Sequence, residues 1–193
     1  MNIEKLKGFI ISKLKTELSA KLTYHDVYHT KHVYSSCEKY ISRMNINDYD
    51  AFLLLTASLM HDTGYLFTYD NHEDRSMEYV NEILPEWNYQ PDEIERINGM
   101  IQATKIPQQP TNVLEQIIGD SDLDYLGTES FYPISETLYH ELKAFGKITN
   151  EKEWYQLQIR FLQKHTYHTP FAREFREPVK QKHLQEILEK WGQ

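Results

Sequence analysis

The chain has 193 residues, 40% of them hydrophobic and 26% charged, which is the composition of an ordinary folded globule and predicts one domain with a core of its own. A formal net charge of −8 argues against a general nucleic-acid binder, because phosphate affinity rests on Lys and Arg; a bound cation can still reverse the field locally for a small phosphorylated substrate. The single Cys37 excludes an internal disulfide and a thiolate zinc cluster, and an N-terminus that carries Glu4 and no long apolar run predicts neither a signal peptide nor a membrane span, so a cytosolic protein with no membrane partner is expected.

Taken in order, the chain reads as helices. Ile3, Leu6, Ile10, Leu14, Leu18 and Leu22 recur at helical spacing and predict a first amphipathic helix. An aromatic and histidine-rich junction over Tyr24–Tyr28 leads to a second helix from about His29 to Met44. Asn45–Asp48 is a polar break in which Asn47 or Asp48 can cap a third helix. That helix is the centre of the sequence: Ala51–Met60 is almost wholly apolar, runs straight into His61-Asp62, and meets a candidate stop at Gly64. A loop follows to Asn71.

Helix signals resume at His72-Glu73, with Met77, Val80, Ile83 and Leu84 at core spacing and Pro85 as terminator. Pro91-Asp92-Glu93 is a favourable first turn, and Ile94, Ile97, Ile101 and Thr104 form the inner face behind it. Val113, Leu114, Ile117 and Ile118 lead into Gly119–Gly127. Further helices are expected over Phe131–Phe145, after a capping box at Asn150–Glu153, and beyond the breaks at Thr169-Pro170 and Glu177-Pro178. No strand pattern or repeat is evident. The expected fold is all-α, a single-domain helical bundle over residues 1–193, with a core region at about 22–130 and the helices of 131–193 packed on it.

An imidazole and a carboxylate at the inner end of an apolar helix are costly to bury without a partner. A His-Asp dipeptide is common, and His25-Asp26 is a second one here, so the pair gains meaning only with other candidate ligands. These are His29, near the start of the second helix, and Asp122, after the Val113–Ile118 run. His29, His61, Asp62 and Asp122 form a nitrogen and oxygen set suited to Mn, Fe, Co, Ni or Mg, with positions left for water, as a catalytic ion needs. Asp120, Asp122 and Asp124 alternate as in a calcium loop, but Tyr125 and Phe131 stand where that loop needs Gly and Glu; Asp120 and Asp124 read as solvated or capping acids. His25, four residues before His29, suits a general acid that need not touch the ion. His32, His140, His165, His168 and His183 read as surface or hydrogen-bonded residues.

Tyr24-His25-x-x-x-His29-Thr-x-x-Val33, His61-Asp62-x-Gly64 and Asp122-Leu-Asp-Tyr-Leu-Gly127, in that order, resemble the HD superfamily of metal-dependent phosphohydrolases. The likeness is strongest to small stand-alone bacterial HD proteins described as predicted phosphohydrolases. It extends over about Leu22–Trp191 and includes Asn71-His72-Glu73, Ala103-Thr104-Lys105, Thr169, Arg176 and Lys180.

The resemblance implies metal ligands at His29, His61, Asp62 and Asp122, catalytic roles for His25 and Asp62, and one divalent metal ion with a second one or the substrate at His72. It implies a small phosphorylated substrate, a nucleotide or metabolite, with Lys105 and Arg176 as candidate phosphate contacts. The first motif is similar to the Tyr-His-Asn signature of cyclic-nucleotide phosphodiesterases, but Asp26 stands where that signature has Asn, which argues against a cyclic substrate. Two further alternatives are a non-catalytic nucleotide-binding sensor and an HD-type di-iron oxygenase, the latter needing more histidines than lie between His72 and His140. Substrate identity, oligomeric state and pathway are not legible.

Overall fold

The computed structural model describes residues 2–191 and contains ten α-helices and no β-strand among them. Its contacts divide it into two compact units. The first ends at Ser19, resumes at His25 and runs to Asp122; the second comprises Ala20–Tyr24 and everything from Leu123 onward. No helix among the described residues is long and apolar enough to cross a membrane.

The first unit holds α1 (Ile3–Glu17), α2 (Val27–Met44), α3 (Asp48–Met60), α4 (His72–Ile83), α5 (Pro91–Thr104) and α6 (Val113–Asp122). Helix α3 is its axis. Leu53, Leu54, Ala57, Leu59 and Met60 are all buried, and α1, α2, α5 and α6 surround them. A helix apolar on every side must be enclosed on every side, and that enclosure carries His61 and Asp62 inward. Asn47 Oδ1 caps α3 by accepting from Asp50 N at 3.0 Å. The predicted inner face of α5, with Ile94, Ile97, Ile101 and Thr104, is buried as expected.

Several local expectations are corrected. The first helix stops at Glu17, and Leu18 is already extended (ψ 143°), so Leu22 is buried without being helical. The spacing of Leu14, Leu18 and Leu22 overran the true end by more than a turn. Helix α2 starts earlier than expected, at Val27, because Asp26 Oδ1 accepts from the backbone N–H of Tyr28 and His29 at 2.8 and 3.0 Å. Gly64 is no helix stop: α3 ends at Met60, and Gly64 lies in a single 3-10 turn, Thr63–Leu66. A Cβ on Gly64 would overlap the backbone carbonyl of His72, so glycine is required there by close approach.

The second unit holds α7 (Phe131–Ala144), α8 (Glu151–Lys164), α9 (Pro170–Phe175) and α10 (Glu177–Trp191). Helix α10 packs on α8, α9 and the 3-10 turn Asp124–Gly127. The breaks at Thr169-Pro170 and Glu177-Pro178 are the first turns of α9 and α10, where proline lacks only an N–H that would have no partner anyway. The expected capping box of α8 is half formed. Asn150 Oδ1 accepts from Glu153 N at 3.0 Å, but the Glu153 carboxylate turns to Thr149 N at 2.7 Å.

Candidate metal centre

Three helices of the first unit deliver the candidate ligands. His29 comes from the first turn of α2, held by the Asp26 cap. His61 and Asp62 follow the last residue of α3, with His61 N donating to Ala57 O at 2.9 Å. Asp122 is the last residue of α6.

Their donor atoms converge. His29 Nε2 lies 3.1 Å from Asp122 Oδ1, 3.2 Å from Asp62 Oδ2 and 3.3 Å from His61 Nε2. His61 Nε2 lies 3.2 Å from Asp62 Oδ2 and 3.6 Å from Asp122 Oδ1. Donors about 2.1 Å from one cation stand roughly 3.0 Å apart when adjacent in an octahedron and roughly 3.4 Å apart in a tetrahedron. Four of the five separations fall in that range, and the fifth, between His61 and Asp122 at 3.6 Å, lies just above it.

Two details show that these atoms face a shared point and do not simply bond one another. Asp62 Oδ2 is buried and makes no hydrogen bond, although two imidazole nitrogens are near it. His61 Nδ1 lies 2.9 Å from the carbonyl of Ser58, which can only accept, so Nδ1 carries a proton and Nε2 is the ring nitrogen directed at the cluster, free to give up its own proton to a cation. The site is not sealed: the His61 side chain is 1% exposed, but those of Asp122 and His72 are 15% and 17% exposed.

The electrostatics fit a dication. Burial disfavours charge on His29, but the Asp122 and Asp62 carboxylates beside it outweigh burial and raise its pKa to about 9. His61 is likewise raised well above 6.5, against its burial, chiefly by the charge of Asp62. On both Asp62 and Asp122 burial works upward and is overcome by the two histidines, so both carboxyls are held well below the usual carboxylate range. Two carboxylates are thus balanced by two protons on imidazole, and a divalent ion that displaces both protons leaves the charge balance intact.

His25 and His72 stand beside this cluster. The His25 ring is edge-on to that of His29 with centroids 5.6 Å apart. His25 precedes α2, so the helical spacing that suggested this neighbourhood is not what produces it. His72, at the start of α4, places Nε2 3.3 Å from Asp62 Oδ1, the carboxylate oxygen not directed at His29 and His61. Tyr65, to which sequence reasoning assigned no role, contacts both. Its ring stacks on His72 at 4.0 Å and on His25 at 4.4 Å, and its hydroxyl is 3.3 Å from His25 Nε2. Its place directly after His61-Asp62-x-Gly64 was the available signal.

The remaining candidates are engaged elsewhere. Lys105 Nζ donates to both carboxylate oxygens of Asp74, at 3.0 and 2.9 Å. Arg176 donates from Nε and Nη2 to Asp124 Oδ1 and Oδ2, at 2.7 and 3.3 Å. Asp120 and Asp124, expected as solvated or capping acids, are instead fully buried, at 0% and 1% exposure. For Asp124 the reason is the Arg176 guanidinium, which supplies the bonds water would otherwise make.

Fold and site together define an all-α protein built around a His–Asp cluster. A similar solved structure is the crystal structure of a predicted HD superfamily hydrolase from an uncultured Thermotogales bacterium, with 19% sequence identity, a TM-score of 0.63 and 100% of each chain covered. No family model and no curated protein matches the sequence.

Proposed function

We propose that the chain is a metal-dependent phosphohydrolase acting on a phosphate ester, a nucleotide or a small phosphorylated metabolite in the cytosol. The observation that carries this reading is the convergence of His29, His61 and Asp122 from three helices to within 3.1–3.6 Å of one another, with Asp62 Oδ2 3.2 Å from both imidazoles. The HD-type fold supports it, and the solved protein of similar fold is itself a predicted hydrolase.

His29, His61, Asp62 and Asp122 would hold one divalent ion of the Mn, Fe, Co, Ni or Mg kind, whose chemistry when bound is to acidify water and polarise a phosphoryl oxygen. The chain's own groups do the rest. Asp62 turns one oxygen to the cluster and the other to His72, so it orients both and can take a proton from the attacking water. His25 gives a proton to the departing ester oxygen. His72 offers a place for a second ion or for the phosphate. Lys105 and Arg176 can bind phosphate only by leaving Asp74 and Asp124.

The test is metal analysis of the purified chain, followed by a phosphate-release screen over nucleotides, cyclic nucleotides and phosphosugars with Mn, Mg, Co and Ni. Metal bound at the cluster and release of phosphate from at least one ester are expected. Tight nucleotide binding without release would favour the sensor reading.

A further inference from the structure

Tyr65 is one of fourteen tyrosines in a chain where most need no special explanation. It is buried, at 8% exposure, and its ring meets Tyr69 edge-on at 5.7 Å and stacks on two imidazoles beside the candidate metal centre. The rings are close to parallel, inclined 25° to His25 and 18° to His72. The two imidazole centroids are 5.8 Å apart. Rings stacked on opposite faces of the phenol would be much farther from one another, so both lie over the same face. At the rim of that face the phenol oxygen meets His25 Nε2 at 3.3 Å.

The backbone beneath Tyr65 is held just as closely. Tyr65 N donates to Asp62 O at 3.1 Å, which ties the ring to the candidate ligand three residues earlier. Gly64 N donates to Ser76 Oγ at 2.8 Å, and Gly64 presses on the His72 backbone where a Cβ would overlap it. The turn therefore has one seat against α4, and the phenol ring has little freedom to move away.

We propose that Tyr65 is a positioning residue: its ring is the common platform that holds His25 and His72 in one layer beside Asp62, and its hydroxyl sets the rotation of the His25 ring. His25 then keeps its edge-on place next to His29, and His72 keeps Nε2 on Asp62 Oδ1. Stacking supplies direction as well as contact, because offset parallel rings resist tilting. The catalytic consequence rests on the phosphohydrolase reading; the geometric one does not.

The experiment compares Tyr65→Phe and Tyr65→Leu with the parent in the full chain. The first readout is the imidazole C–H proton signals of His25 and His72 in the metal-free protein at one fixed pH, assigned with His25→Gln and His72→Gln. The phenol ring current should place both sets upfield in the parent. Tyr65→Leu should return both downfield. Tyr65→Phe, which keeps the ring and loses the hydroxyl, should move His25 alone. Unmoved signals in Tyr65→Leu overturn the proposal, and so does an unmoved His25 in Tyr65→Phe. Should Tyr65→Leu fail to fold, Tyr65→Phe still decides.

The second readout is turnover of p-nitrophenyl phosphate and bis(p-nitrophenyl) phosphate with Mn²⁺. At unchanged Mn²⁺ content and KM, kcat should fall about tenfold in Tyr65→Phe and about a hundredfold in Tyr65→Leu, the scale of a misplaced acid. Unchanged kcat in both variants overturns the positioning role. A parent that turns over neither ester refutes the hydrolase reading for these substrates and leaves the imidazole signals to judge the platform.

Discussion

Two buried polar clusters, one in each unit, meet the cost of burial in opposite ways. In the second unit Lys180 is 0% exposed, and its three N–H donors find three acceptors: His165 O at 2.6 Å, His165 Nδ1 at 3.2 Å and Glu177 Oε2 at 2.9 Å. Arg176 closes on Asp124 through two bonds. The one atom left over, His165 Nε2, lies in an aromatic setting, with the Tyr167 ring edge-on at 4.7 Å. Every charged group in this cluster is paired with a partner of its own. In the first unit His29, His61, Asp62 and Asp122 crowd together, yet Asp62 Oδ2 lacks a hydrogen bond. That arrangement is the one the proposed cation would use. The comparison teaches that burial of charge alone does not mark a function; the separating feature is whether the polar atoms satisfy one another or face a common point.

The largest expected effect tests the open cluster. Asp62→Ala should lose metal and lower phosphate release by more than about a hundredfold, beyond what altered outer partners of a metal site cost. Metal analysis on the folded variant decides it, and full metal content would contradict the ligand assignment.

The closed cluster should respond in stability instead. Lys180→Met leaves Glu177 and the His165 carbonyl without their donor, at a cost of about 3 kcal/mol. For a chain of this size that lowers Tm by roughly 6–12 °C. Calorimetry at neutral pH would show it, and a variant as stable as the parent would mean that the lysine is incidental.

The pH dependence should separate the clusters by sign. His29 is raised from 6.5 to about 9, so its contribution to metal-free stability is complete below pH 6.5 and is lost as pH climbs through 9. Asp62 and Asp122 are lowered, and their contribution disappears only as pH falls below the ordinary 3.8. His165 is lowered from 6.5 to about 3 by burial and by the charge of Lys180, so its contribution is present above pH 6.5 and is lost as pH falls toward 3. Thermal unfolding from pH 4 to 9 should therefore decline at both ends. Mn²⁺ should remove the alkaline decline, by binding the deprotonated imidazoles, and leave the acid one. Curves that Mn²⁺ shifts equally at every pH would show that it binds elsewhere.

The smallest effect concerns Asp26. As a helix cap it should tolerate Asp26→Asn with a change under about 0.5 kcal/mol, whereas Asp26→Ala should cost about 1 kcal/mol. Metal content should stay the same in both, and a loss in Asp26→Asn would make the carboxylate more than a cap.

The fold was largely legible because its signals are local. The all-apolar stretch before His61 could only be an enclosed helix, and Pro85, Pro91 and Pro170 marked boundaries that the backbone respects. Where periodicity misled, as beyond Glu17, the apolar residue Leu22 was buried by later parts of the chain and not by continuing the helix. The candidate ligands were legible as residue types in order, since a buried imidazole or carboxylate is costly without a partner. Asp124 and Tyr65 were misjudged or passed over because nothing in their own neighbourhood announces a guanidinium 52 positions away or an imidazole 40 positions away.

By itself, then, the sequence determined that the chain is helical, where its helices begin and end to within a turn or so, and which side chains were worth bringing together. Only the tertiary structure decided that His29, His61 and Asp122 meet within 3.1–3.6 Å with Asp62 beside both imidazoles, that Tyr65 lies under two histidines, and that Lys180 and Arg176 are held by partners of their own. The reason is physical. Helix formation depends on residues three or four apart, whereas the meeting of donor atoms depends on how several helices pack.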